Sequence, residues 1–143
     1  MRFATLSFLL LAFAATGCDS GDGNPIECEN TSVEVEIEEV APGSGAARAD
    51  ASDIVRINYS GQLADGTEFD SAQNATFNLQ TAISGFREGV AGMKIGGSRR
   101  ITIPPYRGYG TRAQTRIVDG EEQDIIPSCS VLVFEVDLLD IES

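Results

Sequence analysis

The stretch from Asn58 to Asp70, Asn-Tyr-Ser-Gly-Gln-Leu-Ala-Asp-Gly-Thr-Glu-Phe-Asp, constrains this chain more than any other. Two strand-like pieces flank an Asp65-Gly66 turn. Asp-Gly between apolar alternations is a strong hairpin signal, because a tight hairpin turn needs positive φ. The turn folds one arm back on the other. Tyr59 on the first arm then meets Phe69 and Asp70 on the second, so two aromatics and one carboxylate converge within one local element.

The rest of the chain can be read around that hairpin. Val33 to Glu38 alternates with period two, which predicts a half-buried strand with a solvated acidic face. Ala41 to Ala51 reads as a loop and Asp53 to Ser60 as the next strand, with Gln62 to Asp70 completing the hairpin. Ser71 to Thr76 is polar and loop-like, and Phe77 with Leu79 suggests a short strand. Thr81 to Met93 is the one convincing helical pattern: Ile83, Phe86, Val90 and Met93 share an apolar face. Gly85, Gly89 and Gly92 weaken that helix, so packing must hold it, and small residues let it lie close against a sheet. Ser98 to Ile103 alternates again, with Ile101 and Ile103 inward and Arg100 outward. Pro104 to Ser128 reads as a long irregular segment, which in a small domain is usually functional. Ser130 to Asp140 closes the chain as a strand apolar enough to be central rather than an edge. Together these elements predict an α+β fold: a curled, mainly antiparallel sheet of about five to six strands wrapped around one short helix.

With 143 residues and 42% apolar content, the chain supports one domain with one ordinary core, plus short extras. It contains no histidine, which removes Ser-His-Asp and Cys-His catalysis and His-ligated metal sites. A net charge of -12 argues against nucleic acid as a partner and against adhesion to anionic lipid.

Residues 1–17 read as an export signal. Met1-Arg2 is a minimal positive start, and the apolar run Phe3 to Ala15 is too short to span a membrane. Ala15-Thr16-Gly17-Cys18 resembles a bacterial lipoprotein signal, in which Cys18 is lipidated and becomes the new N-terminus. A plain secretory signal with a coincidental Cys18 is the simpler alternative. Residues 18–32 would then form the lipid-anchored start and a flexible polar tether, and 33–143 the domain. The expected location is membrane-anchored, facing the periplasm or the cell exterior. Removing a lipidated Cys18 from the three cysteines leaves Cys28 and Cys129, which an oxidising compartment would be expected to bridge. Such a bridge closes a loop of about 100 residues and contributes up to ~4.7 kcal/mol of chain entropy. Two unrelated buried thiols are the alternative.

Five blocks of residues 33–142, in order, resemble the FKBP-type peptidyl-prolyl isomerases. They are Tyr59-x-Gly61 through Asp65-Gly66-x-x-Phe69-Asp70; Ile83-Ser84-Gly85-Phe86-Arg87-Glu88-Gly89-Val90; Met93-x-x-Gly96; Pro105-x-x-x-Tyr109-Gly110; and Ile125-Ile126-Pro127 with Leu132 to Leu139. The resemblance implies a proline pocket lined by Tyr59, Phe69, Asp70, Ile83, Phe86, Tyr109 and Phe134. Phe86 would be its floor, Ala82, Ile125 and Ile126 would fall beside it, and Phe77 would flank it. It also implies that Tyr59, Asp70 and Tyr109 carry catalysis, that the Ile83 N–H and the Tyr109 hydroxyl hold substrate carbonyls, and that no cofactor or metal takes part. The implied reaction is cis/trans isomerisation of Xaa-Pro bonds in exported proteins, by a monomer whose partners are proline-containing polypeptides.

Outside the signal, the aromatic residues concentrate on these positions. Tyr106 alone stands apart from the group formed by Tyr59, Phe69, Phe77, Phe86, Tyr109 and Phe134. For any one of them, filling a β core is the usual role. The chain departs from the family in two places. No basic residue lies between Asp70 and Phe77 to partner the carboxylate. The segment from Tyr109 to Ile125 is about eight residues longer than in a minimal family domain, a length that points to function. These departures favour an alternative: a membrane-tethered chaperone or binding module of the same fold with little isomerase activity.

Overall fold

The computed structural model describes Cys28 and residues 34–142. The expected signal peptide, Cys18 and most of the tether lie outside the described residues.

Among the described residues there are seven strands, one α-helix and two single turns of 3-10 helix. In chain order they are β1 (Glu36–Pro42), β2 (Ile54–Leu63), β3 (Glu68–Asn78), α1 (Ser84–Val90), β4 (Gly97–Ile103), β5 (Gln114–Val118), β6 (Glu121–Ile126) and β7 (Leu132–Glu142). Five strands form one sheet in the order β1-β4-β7-β2-β3, with every neighbouring pair antiparallel. The apolar strand β7 lies at its centre, as its composition predicts. Leu132, Phe134, Val136 and Leu138 point into the core, and Glu135 and Asp137 point out.

The connection from β3 to β4 carries α1 across the face of the sheet. Gly85 and Gly89 make that crossing close: a Cβ on either would collide with the side chain of Ile103 or Ile101 on β4. Phe86 and Val90, on the buried face of the helix, join Val55, Ile57, Ile101, Ile103 and Leu138 in the core. Arg99 closes the helix end by donating from Nη1 to the carbonyls of Gly89 and Ala91, both at 2.9 Å. The helix is shorter than its apolar pattern. Residues Leu79–Thr81 form a 3-10 turn, and past Val90 the chain reaches Gly92 at φ +83, so Met93 is buried from the following loop.

Several local expectations are corrected. The first strand runs from Glu36 to Pro42 and is exposed on both faces, with Ile37 and Val40 43% and 66% exposed. It is a sheet edge beyond the footprint of α1, and a bulge between Glu39 and Ala41 breaks its alternation. Ser71 to Thr76 is not a loop but the middle of β3. Its polarity fits an edge strand whose ladder is supplied by β2 from one side. The Asp65-Gly66 turn is not a pair of positive-φ residues. The Gly66 N–H bonds to the Leu63 carbonyl at 2.9 Å, and Gly66 alone has positive φ, at +89. The segment Pro104 to Ser128 is not irregular throughout. After a 3-10 turn at Pro105–Arg107 it forms the β5–β6 hairpin, closed by Asp119 (φ +53) and Gly120 (φ +84). That is the two-residue Asp-Gly geometry the sequence suggested for Asp65-Gly66.

Cys28 and Cys129 meet as a disulfide with Cα atoms 5.2 Å apart. Cys28 is 3% exposed, and the Cys129 N–H donates to the Gly110 carbonyl at 2.8 Å. The bridge thus fastens the start of the domain beside the loop that carries Tyr109.

Candidate active site

A cavity of about 270 Å³ opens where the β2–β3 hairpin, the approach to α1, Tyr109 and β7 converge. Its walls are aromatic. Tyr59, Phe77, Phe86 and Phe134 form a closed circuit of rings, with successive centroids 5.8, 5.1, 5.0 and 6.4 Å apart. Phe69 stands edge-on to Phe134 at 5.5 Å. Phe86 and Phe134 are 2% and 7% exposed and form the floor. These are edge and tilted contacts of the kind that fix ring orientation. Phe77, which the sequence places only at the pocket's flank, is a full member of the circuit.

Two backbone features shape this box. One is Gly61 on β2, which belongs to the first motif block but is given no role there. A Cβ there would fall 2.7 Å from the Phe69 ring and 2.8 Å from the Phe134 ring. A glycine inside a strand marks such close approaches, and this was the signal available. The other is a register shift in the hairpin. Gly61 pairs with Asp70 and Gln62 with Glu68, which leaves Phe69 as an extra residue on β3. Successive strand residues ordinarily point to opposite faces, whereas a bulge re-aims a side chain. Here Phe69 and Asp70, adjacent in sequence, both line the cavity.

The polar groups are few. The Tyr59 hydroxyl donates to Asp70 Oδ2 at 2.8 Å. No arginine or lysine pairs with Asp70 among the described residues, consistent with the missing basic partner. Burial, then the hydrogen bond and charge of Asp70, push the Tyr59 phenol up to about 12. Burial and the same carboxylate push Tyr109 up as well. Both phenols therefore stay protonated as donors at neutral pH. Among the described residues, the Tyr109 hydroxyl makes no hydrogen bond, and the Ile83 N–H, just ahead of α1, finds no acceptor. Two donors thus remain available at the cavity for a ligand's carbonyls.

Ala82 and Ile83 line the cavity, as does Thr81, which the sequence reading omits. Ile125 and Ile126 do not. They lie in an adjoining groove of about 150 Å³ that shares Phe69, Asp70 and Tyr109 with the cavity. Ile126 is 3% exposed and belongs to the core. Tyr106 is 48% exposed, apart from the aromatic box.

The sequence profile described as FKBP-type peptidyl-prolyl cis-trans isomerase matches residues 45–139. FK506-binding protein 2 of Yarrowia lipolytica is 34% identical over 113 residues, covering 75% of this chain and 73% of that protein. Peptidyl-prolyl cis-trans isomerase FKBP9 of Rattus norvegicus is 38% identical over 107 residues, which cover 71% of this chain. That alignment spans only 17% of the rat protein's length. Among solved structures, the crystal structure of a peptidyl-prolyl cis-trans isomerase from Pseudomonas syringae pv. tomato superposes with a TM-score of 0.67 at 31% identity, covering 76% of each chain.

Proposed function

The chain belongs to the FKBP-type peptidyl-prolyl cis-trans isomerase family, and from that premise we propose that it accelerates rotation about Xaa-Pro bonds of exported polypeptides and so assists their folding. The observation that carries the reading is the closed circuit of rings around a cavity whose Ile83 N–H and Tyr109 hydroxyl have no partner among the described residues.

The planar amide resists rotation with a barrier of ~18–20 kcal/mol, because resonance gives its C–N bond double-bond character. Twisting localises the nitrogen lone pair and makes the amide less charge-separated. An aromatic slot with little water favours the twisted form over the planar one. The ring of proline fits among Tyr59, Phe77, Phe86 and Phe134. The Ile83 N–H and Tyr109 hydroxyl hold carbonyls flanking the bond. Asp70 fixes the Tyr59 phenol and so the wall of the slot. No group on the protein has to give or take a proton in this sequence.

The proposed setting is membrane-anchored and outside the cytoplasm, through lipidation at Cys18. The Cys28–Cys129 bridge supports an oxidising compartment. Fatty-acid labelling of the wild-type protein, lost in C18A, would test the anchor. A second reading, a binding module with little catalysis, draws support from Ile117, which is 67% exposed on the β5–β6 hairpin.

The deciding experiment is isomerisation of a short Xaa-Pro peptide by the purified protein. Acceleration lost in F86A supports the enzyme. A folded protein that binds proline peptides without accelerating them supports the binding module.

A further inference from the structure

The groove beside the proline slot is built by this chain's extended flap. Its inner wall is Phe69, Asp70 and Tyr109 of the slot, its floor includes Ile125 and Ile126, and its outer wall is Gln114, Thr115 and Arg116 of β5. Among the described residues, Arg116 is the one cation lining either cavity. Its guanidinium makes no ion pair among the described residues.

None of the flap's acids, Asp119, Glu121, Glu122 and Asp124, lines the groove with Arg116. Directly opposed residues of an antiparallel pair share a face. Arg116 opposes Gln123, and it lines the groove together with Ile125, the extra residue that a register shift adds to β6. Glu122 and Asp124 oppose Ile117 and Thr115 and do not line the groove, and the Thr115 hydroxyl donates to Glu122 at 2.7 Å. Glu121 shares the face of Arg116, two pairs nearer the turn, and lies outside the groove without an ion pair to Arg116. Asp70 has its Oδ2 engaged by Tyr59.

We propose that Arg116 is a specificity-determining residue, and that the flap groove selects substrates with a glutamate next to the proline. A glutamate matches both halves of the groove. Its methylene stem lies on the apolar floor, and its carboxylate meets a planar fork of unpaired donors. This rests on the proposed isomerase site, because the groove and the slot share Phe69, Asp70 and Tyr109.

The test compares Xaa-Pro peptides carrying Glu, Gln or Lys at either neighbour of the proline, in kcat/KM and in Kd by calorimetry, for wild type, R116Q and R116E. At one neighbouring position, wild type should favour Glu over Gln by ~3–10-fold in low salt, the scale of one contact between solvated charges. The preference should shrink at ~1 M salt. In R116Q the ratio should fall to about one, and in R116E Lys should overtake Glu, since a reversed charge turns attraction into rejection. A wild-type ratio of one at both positions overturns the proposal. So does a ratio preserved in R116Q, or a loss in R116Q that is equal for all peptides, which would place Arg116 in support of Asp70 instead. If no peptide is turned over, the isomerase reading falls. The same Kd ratios then decide the groove's preference alone.

Discussion

The Tyr59 hydroxyl reaches Asp70 Oδ2 across 2.8 Å, from β2 to the neighbouring strand. Asp70 opposes Gly61, two residues along from Tyr59, so the bond runs diagonally between the two strands. One hydrogen bond therefore ties a wall of the aromatic box to the hairpin that carries it. Its removal should loosen the slot without unfolding the domain. Tyr59→Phe is expected to lower kcat/KM about threefold to tenfold, because a hydrogen bond to a charged group is worth about 1.5–3 kcal/mol before discounting for solvent. Thermal unfolding of the variant should move by only a few degrees.

Gly61 is where the box is most sensitive to a single methyl group. In Gly61→Ala the new Cβ would sit inside the contact shells of Phe69 and Phe134. Overpacking of this kind costs about 1–3 kcal/mol. Activity should fall by more than the stability loss explains, because both displaced rings line the slot. Urea unfolding together with turnover measured well below the midpoint separates the two effects.

The phenols set an alkaline limit. Tyr59 has its pKa raised from 10.0 to about 12, so the folded state holds its proton more tightly than the unfolded chain does. Its stabilising contribution is complete below pH ~10 and is lost as pH rises toward ~12. Turnover should be flat from pH ~6 to ~9, since no histidine titrates there and both phenols remain donors. A bell-shaped profile centred near neutrality would contradict this site.

Arg99 holds the end of α1 and contacts no part of the slot. It donates to two helix carbonyls and lies 3.6 Å from Glu39. Arg99→Met keeps much of the aliphatic stem and removes those donors, leaving the carbonyls without partners. The expected loss is about 1.5–3 kcal/mol in unfolding free energy, with turnover per folded molecule nearly intact.

The Cys28–Cys129 bridge spans 101 residues. Reduction should destabilise the domain by up to ~4.7 kcal/mol in the chain-entropy account. Unfolding curves with and without reductant, compared with a variant lacking both cysteines, would measure it. Because Cys129 bonds to Gly110, beside Tyr109, local protection of the flap should fall first on reduction.

Much of this protein was legible in its residues alone. The hairpin signal around Asp65-Gly66, the alternation of Ser98 to Ile103 and the apolarity of Leu132 to Leu139 marked three of the strand regions and made the last strand central. Glycines at 85 and 89 determined that the helix lies close to the sheet. The ordered motif blocks located Tyr59, Asp70, Phe86, Tyr109 and Phe134. Tertiary structure decided what local pattern cannot encode. The polar run Ser71 to Thr76 is a strand because β2 supplies its hydrogen-bond ladder, not because its own residues favour one. Phe69 and Asp70 share the cavity because a register shift adds a residue to β3, whereas alternation alone would send them to opposite faces. Arg116 lies beside the aromatic cavity because β5 lines one groove with Phe69, Asp70 and Tyr109. Alternation and apolarity are properties of neighbours in sequence. Register, ring contact and groove formation arise from segments far apart in the chain, and are fixed only when the whole sheet closes on its helix.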